Sequence, residues 1–168
     1  MRTTDQSTAP LGDASRLRTA IVVSRFNPEV TERLREGAVR ALIEAGATDA
    51  GIDVFEVPGA FELPQAARAV AETGRFDAVI CLGCVIRGET PHFEYISSAV
   101  AHGITAAAGD TGVPIAFGVL TTNTLEQAMA RATEAPDNKG REAAAAAIEM
   151  AALYRGLANG TRPPRQPA

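Results

Sequence analysis

The sequence has no tryptophan, only two cysteines and two histidines, and no long apolar run, and each shortage excludes a class of protein. Two cysteines cannot build a disulfide framework, so the fold has to rest on its core. Aromatic residues are 5% of the chain, which leaves Ala, Val, Ile and Leu to do the packing. Basic residues number 16 against 20 acidic ones, so the net charge is −4 and there is no excess of cations for a nucleic-acid or anionic-membrane face. No apolar stretch approaches the roughly 20 residues of a membrane span. The opening Met1–Leu17 is polar and lacks the apolar centre of a signal peptide. The expectation is a cytoplasmic globular protein. Its 168 residues fit one domain, and a chain of that size buries about 70% of its unfolded surface.

Pro, Gly and polar residues divide the chain. Residues 1–17 read as a flexible arm, 18–158 as the folded domain and 159–168, ending in Pro163-Pro164-Arg165-Gln166-Pro167-Ala168, as a disordered tail. Within the domain, β-branched runs at Thr19–Val23, Ile52–Val57, Asp77–Leu82 and Pro114–Val119 read as strands. The first and third are apolar nearly throughout, as in strands covered on both faces. Helical stretches separate them: Pro28–Ala45 with Gly46 as its stop, Ala60–Thr73, Pro91–Gly109, Thr124–Thr133 with Asn123 and Glu126 in capping-box spacing, and an Ala-rich Lys139–Leu157. Such alternation predicts right-handed βαβ units and a four-stranded parallel sheet between helical layers. Ligands of these sheets bind beyond the carboxyl ends of the strands, which makes the four strand–helix junctions the places to search.

After the first strand comes Ser24-Arg25-Phe26-Asn27-Pro28. Asn27 followed by Pro28 is an ordinary helix start. Phe26 is either a hydrophobic staple for that helix or a stacking platform for a planar ligand. At the second junction, Gly59 allows a close backbone approach, and Glu62 sits in a first helical turn, where the dipole favours a carboxylate whatever its function. The third junction, Gly83 through Tyr95, carries the most chemistry. Thr90-Pro91 reads as an N-cap followed by the first helical residue, and its free N–H groups beside Gly88 and Arg87 suggest an anion site. His92 falls in the first turn there, where an imidazole can shuttle protons or simply be structural. His102 lies mid-helix and reads as structural. Cys81 and Cys84 form a C-x-x-C, but on a strand their side chains point to opposite faces, so buried inert thiols fit better than a redox pair or a zinc site. At the fourth junction, Arg131 is either a solvated cation at a helix end or functional. Lys139 opposes the dipole of the last helix, which hints at a role outside helix stability.

Five blocks, in order and spacing from about Arg18 to Gly156, closely resemble the lumazine synthases: Ser24-Arg25-Phe26-Asn27; Pro58-Gly59-Ala60-Phe61-Glu62-Leu63-Pro64; Gly83 through Tyr95; Phe117 through Thr124; and Asn138-Lys139-Gly140. The resemblance implies a flavodoxin-like three-layer α/β/α sandwich assembled as pentamers. It also implies condensation of 5-amino-6-(D-ribitylamino)uracil with 3,4-dihydroxy-2-butanone 4-phosphate to 6,7-dimethyl-8-ribityllumazine, the penultimate step of riboflavin biosynthesis, with no metal and no cofactor. It assigns proton transfer to His92. Phe26, Ala60, Phe61, Glu62, Cys84, Val85, Ile86, Phe117 and Lys139 would bind the pyrimidine and ribityl parts, and Glu89, Thr90 and Arg131 the phosphate. Phe117 and Arg131 would reach the site from an adjacent subunit, and Lys139 and Glu142 would form a charged pair nearby. Cys84 stands where Thr is common in the family, at a position of backbone contact.

The partners implied are the two small substrates, further copies of the chain, and riboflavin synthase as a candidate. The link from Ala135 to Gly140 carries no insertion of the kind associated with pentamer-only members, which favours an icosahedral shell. Competing readings are a non-catalytic lumazine- or flavin-binding or shell-forming paralogue, a relative that turns over another diamine, and an FMN carrier. The FMN carrier lacks its Ser/Thr-rich phosphate loop after strand one.

Overall fold

A computed structural model describes residues 10–134 and 136–160. Four strands, β1 (Thr19–Ser24), β2 (Ile52–Val57), β3 (Ala78–Ile86) and β4 (Ile115–Thr122), form one parallel sheet in the order β2-β1-β3-β4. The helices are α1 (Pro28–Glu44), α2 (Leu63–Glu72), α3 (His92–Thr111), the short α4 (Leu125–Ala130) and α5 (Lys139–Ala158). Single 3₁₀ turns at Asp49–Gly51 and Ala60–Glu62 precede β2 and α2. The predicted three-layer α/β/α class is the one observed.

Strand alternation sorts the core into two halves. Ile21, Val23, Ile80, Leu82 and Cys84 pack with Leu34, Leu42, Ala144 and Ile148 under α1 and α5, while Ala20, Val22, Val79 and Cys81 pack with Leu63, Ala67, Val100 and Ile104 under α2 and α3. Each fully buried Leu, Ile or Val contributes about 1.5–3 kcal/mol. Cys81 and Cys84 therefore lie on opposite faces, as expected. Burial alone pushes the Cys81 thiol up to about 12. Burial, with a smaller effect of the nearby Glu29 charge, pushes Cys84 up to about 11. Both therefore remain thiols rather than nucleophilic thiolates near neutral pH.

The interhelical contact of α1 with α5 depends on missing side chains. A Cβ on Gly140 would sit 1.9 Å from the Leu34 carbonyl oxygen, and one on Gly37 would sit 2.2 Å from Asn138 Oδ1. The buried Asn138 fills that space. Its Oδ1 accepts from the N–H groups of Gly140 (2.8 Å) and Arg141 (3.1 Å), and its Nδ2 donates to the carbonyls of Arg33 (3.2 Å) and Thr133 (2.8 Å). Asn138 is thus the N-cap of α5 and its tie to α1.

Several expected boundaries move. Residues 10–17, read as part of an arm, are docked: Ala14 and Leu17 are buried in the core and the Ala14 N–H donates to the Ala45 carbonyl at 2.8 Å. Residues 1–9 and 161–168, and with them most of the expected arm and tail, lie outside the described residues. Gly109 lies inside α3, which ends at Gly112 in the left-handed region (φ 68°). β3 and β4 both run further than the sequence suggested. The last residue of β3 paired with β1 is Leu82, opposite Val23, yet β3 continues through Gly83, Cys84, Val85 and Ile86 with β4 beside it. Since β1 itself ends at Ser24, level with Gly83, a two-stranded ribbon overhangs the rest of the sheet by three residues, roughly 10 Å at about 3.3 Å per residue.

Candidate active site

The overhang forms one wall of a cleft of about 350 Å3 above the ends of β1 and β2. Cys84, Val85 and Ile86 supply that wall, Phe26 and Asn27 come from the β1 exit, Gly59, Ala60 and Phe61 from the 3₁₀ turn, and Gly88, Thr90, His92, Phe93 and Ile96 from the start of α3. Eight of the expected residues meet here: Phe26, Ala60, Phe61, Cys84, Val85, Ile86, Thr90 and His92. Phe26 is 70% exposed and Phe61 58% exposed. A staple onto α1 would be covered, so the alternative reading of Phe26 falls and an open aromatic face stands at the cleft.

Two carboxylates expected here stand back from the lining. Glu62 turns one oxygen onto its own turn, Oε2 accepting from the Gly59 N–H at 3.0 Å, which leaves Oε1 available. Glu89 is exposed on the loop before α3.

The anion-binding expectation is partly corrected. Helix α3 begins at His92, one residue later than predicted, with Pro91 in the capping position and no side-chain cap. Arg87, expected to lend its charge to an anion, is engaged elsewhere. Its guanidinium pairs with Glu94, donates from Nε to Asn123 Oδ1 at 2.8 Å and lies 4.5 Å from the centre of the Phe93 ring. The hydrogen bond from Arg87 also holds the Glu94 carboxyl below the usual carboxylate range. What remains for an anion is the uncapped helix start, and among the described residues no Arg or Lys lines the cleft beside it.

Asn27 holds the N-cap position of α1 ahead of Pro28, as expected, and its carbonyl accepts from the Thr31 N–H at 3.1 Å, but its side chain does not cap the helix. It is the one non-glycine residue with positive φ (60°) among the described residues, and its Nδ2 donates to the Cys84 carbonyl at 3.0 Å. Alternate residues of β3 bond to opposite neighbours, and Val79 and Arg87 donate toward β4. The Cys84 carbonyl therefore points to the side where β1 has already ended, and the Asn27 amide takes the place of the missing strand donor. Its αL preference was visible in the residue type; its partner, 57 positions away, was not.

The remaining expected residues gather elsewhere. Phe117, Arg131, Lys139 and Glu142 line a second cleft of about 390 Å3 along the edge strand β4 and the first turns of α5. The two clefts share no residue and flank the same ribbon: Val85 and Ile86 line the first, and their β4 partners Thr121 and Thr122 line the second. Lys139 Nζ lies 2.8 Å from both carboxylate oxygens of Glu142, and Arg131 Nη1 donates to the Gln127 carbonyl at 2.8 Å. Phe117 is 47% exposed. A larger groove, about 540 Å3, runs between α1 and the α4–α5 link, but surface charges such as Glu32, Arg33, Glu36 and Arg40 line it and it holds none of the expected residues.

Comparison with known proteins bears on this arrangement. The family model described as 6,7-dimethyl-8-ribityllumazine synthase matches residues 16–155. The curated 6,7-dimethyl-8-ribityllumazine synthase of Syntrophus aciditrophicus (strain SB) is 56% identical over 142 residues, covering 84% of this chain and 92% of its own length.

Proposed function

The chain belongs to the 6,7-dimethyl-8-ribityllumazine synthase family, and from that premise we propose how its residues carry out the reaction. It is a transferase that condenses 5-amino-6-(D-ribitylamino)uracil with 3,4-dihydroxy-2-butanone 4-phosphate to 6,7-dimethyl-8-ribityllumazine, releasing phosphate and water. In our reading the pyrimidine stacks on Phe26 and lies along Cys84, Val85 and Ile86, whose backbone reads its edge. Ala60, Phe61 and the free oxygen of Glu62 hold the ribityl chain, and Glu89, Thr90 and the start of α3 receive the phosphate.

The amine of the pyrimidine attacks the ketone and water leaves as an imine forms. Phosphate is then eliminated, and ring closure with loss of water completes the product. Each step moves a proton, and His92 at the rim of the cleft is the group that moves it. Much of the acceleration comes from holding two reactants in register, an effect of several kcal/mol.

A phosphate dianion calls for a cation, and among the described residues no Arg or Lys lines the first cleft, while the nearby Arg87 pairs with Glu94. That observation carries the quaternary reading: the second cleft of one copy closes over the first cleft of its neighbour, bringing Arg131 to the phosphate, Phe117 to the pyrimidine and the Lys139–Glu142 pair beside them. A pentamer provides five such closures, and the uninterrupted Ala135–Gly140 link suits further assembly into an icosahedral shell. No helix among the described residues is long and apolar enough to cross a membrane, and free sugar-phosphate and pyrimidine substrates suit a cytoplasmic enzyme.

The direct test mixes the two substrates with purified protein and follows phosphate release together with the fluorescent pteridine. Equal rates of both are expected; protein that binds the pteridine and releases no phosphate would be a non-catalytic relative. Light scattering on the same sample reads the assembly.

A further inference from the structure

The five residues from Gly88 to His92 leave the sheet, carry the proposed proton-transfer group and have little of their own to hold them. A side chain starting at Gly88 would meet nothing within 4 Å, Glu89, Thr90, Pro91 and His92 are all exposed, and α3 starts without a side-chain cap. Both ends of this excursion are gripped by one residue. At the near end, the Arg87 N–H donates to the Thr122 carbonyl at 2.8 Å and its Nε to Asn123 Oδ1 at 2.8 Å, which fixes Arg87 to the exit of β4. At the far end, the same guanidinium lies 4.5 Å from the Phe93 ring centre and pairs with Glu94, the two residues that follow His92.

We propose that Arg87 is a positioning residue for His92, clamping the first turn of α3 to the exit of β4 so that the imidazole faces the cleft. This rests on the reading of His92 as the proton-transfer group. A planar fork that stacks, pairs with a carboxylate and bonds an amide in one geometry is a task for arginine rather than lysine. An imidazole on an unclamped, uncapped turn spends much of its time outside the reactive geometry, which lowers turnover and leaves ligand binding nearly intact.

The test is a double-mutant cycle on the assembled enzyme, with kcat and KM for both substrates and Tm for every variant. Arg87→Gln is expected to lower kcat about tenfold with KM for the phosphate substrate within about twofold of the parent. Glu94→Gln, which releases the clamp from its other side, should move kcat in the same direction, and Arg87→Lys should fall between parent and Arg87→Gln. In a His92→Ala background, Arg87→Gln should cost less than about twofold more, because there is no imidazole left to misplace. An undiminished Arg87→Gln loss in that background overturns the positioning role. So does a rise in KM for the phosphate substrate at unchanged kcat, which would make Arg87 an anion contact. Should Arg87→Gln not fold, Glu94→Gln is carried through the same cycle. A His92→Ala enzyme as fast as the parent overturns the proton-transfer reading itself, a result separate from either outcome for Arg87.

Discussion

Asn27 donates its side-chain amide to the Cys84 carbonyl at 3.0 Å, from a left-handed backbone conformation, at the point where β1 stops and β3 goes on. One bond thereby sets the distance between the aromatic platform of Phe26 and the strand wall opposite it. Asn27→Gly keeps the backbone free to adopt φ 60° and removes the donor, so it is expected to cost about 1 kcal/mol of stability and to lower kcat/KM. Asn27→Asp sets a carboxylate against a carbonyl and should cost more than Gly on both measures. Thermal unfolding with steady-state kinetics gives the order; Asp tolerated as well as Gly would mean that the φ preference alone explains the residue.

The proposed division of the site between two clefts predicts complementation. His92→Ala should slow turnover roughly 100-fold with binding retained, and Arg131→Ala should act mainly through KM for the phosphate substrate. When the two variants are unfolded together and reassembled, about a quarter of the sites combine an intact His92 face with an intact Arg131 face. Activity should return to that fraction of the parental rate. Mixed assemblies no faster than the separate variants would place both residues in a site made by one chain.

The two thiols predict a one-sided pH dependence. Their folded values, about 12 for Cys81 and about 11 for Cys84, lie above the ordinary value of 9.0, so the unfolded chain releases these protons first as pH rises. Their stabilising contribution is complete below pH 9 and is lost as pH climbs through the folded values. Tm should therefore decline above pH 9, and Cys81→Ala should flatten that decline. Iodoacetamide at pH 8 should label neither thiol in the native protein and both after denaturation, as mass spectrometry would show.

Gly140→Ala drives a methyl to within 1.9 Å of the Leu34 carbonyl oxygen, a backbone atom that moves only with α1. The expected loss is about 3 kcal/mol, at the upper end for overpacking. Because the Arg131 carbonyl accepts from the Lys139 N–H at 2.9 Å, the displaced α5 should also disturb the second cleft. Denaturant unfolding would show the lost stability, and a variant as stable as the parent would refute the close approach of the two helices.

Much of this was legible before any coordinates. The β-branched runs marked all four strands, and β2 begins and ends where its composition says, at Ile52 and Val57. Phe26, flexible Gly59 and the polar start of α3 were conspicuous because loops seldom carry such residues without a use, whereas Phe61 stood out only through the family resemblance. Arg87 and Asn123 were misread, and the side-chain partner of the N-cap residue Asn27 was missed, for a common reason. Each has a respectable local role, as anion ligand or helix cap, and local roles are all that spacing along a chain can suggest. In the folded protein Thr124 caps α4, with Oγ1 accepting from the Gln127 N–H at 3.2 Å, which leaves Asn123 free for Arg87.

The sequence by itself determined the layers, the order of strand and helix, and the chemistry waiting at each junction, because apolar periodicity and turn residues act over a few positions and follow from residue type. Only the tertiary structure decided that β3 and β4 outrun β1, that a side-chain amide replaces the absent strand, and that the residues expected at the site fall into two clefts on either side of one ribbon. Those outcomes depend on strand register and on contacts between residues far apart in the chain, such as Asn27 with Cys84 and Arg87 with Asn123, and no local pattern encodes where such partners meet.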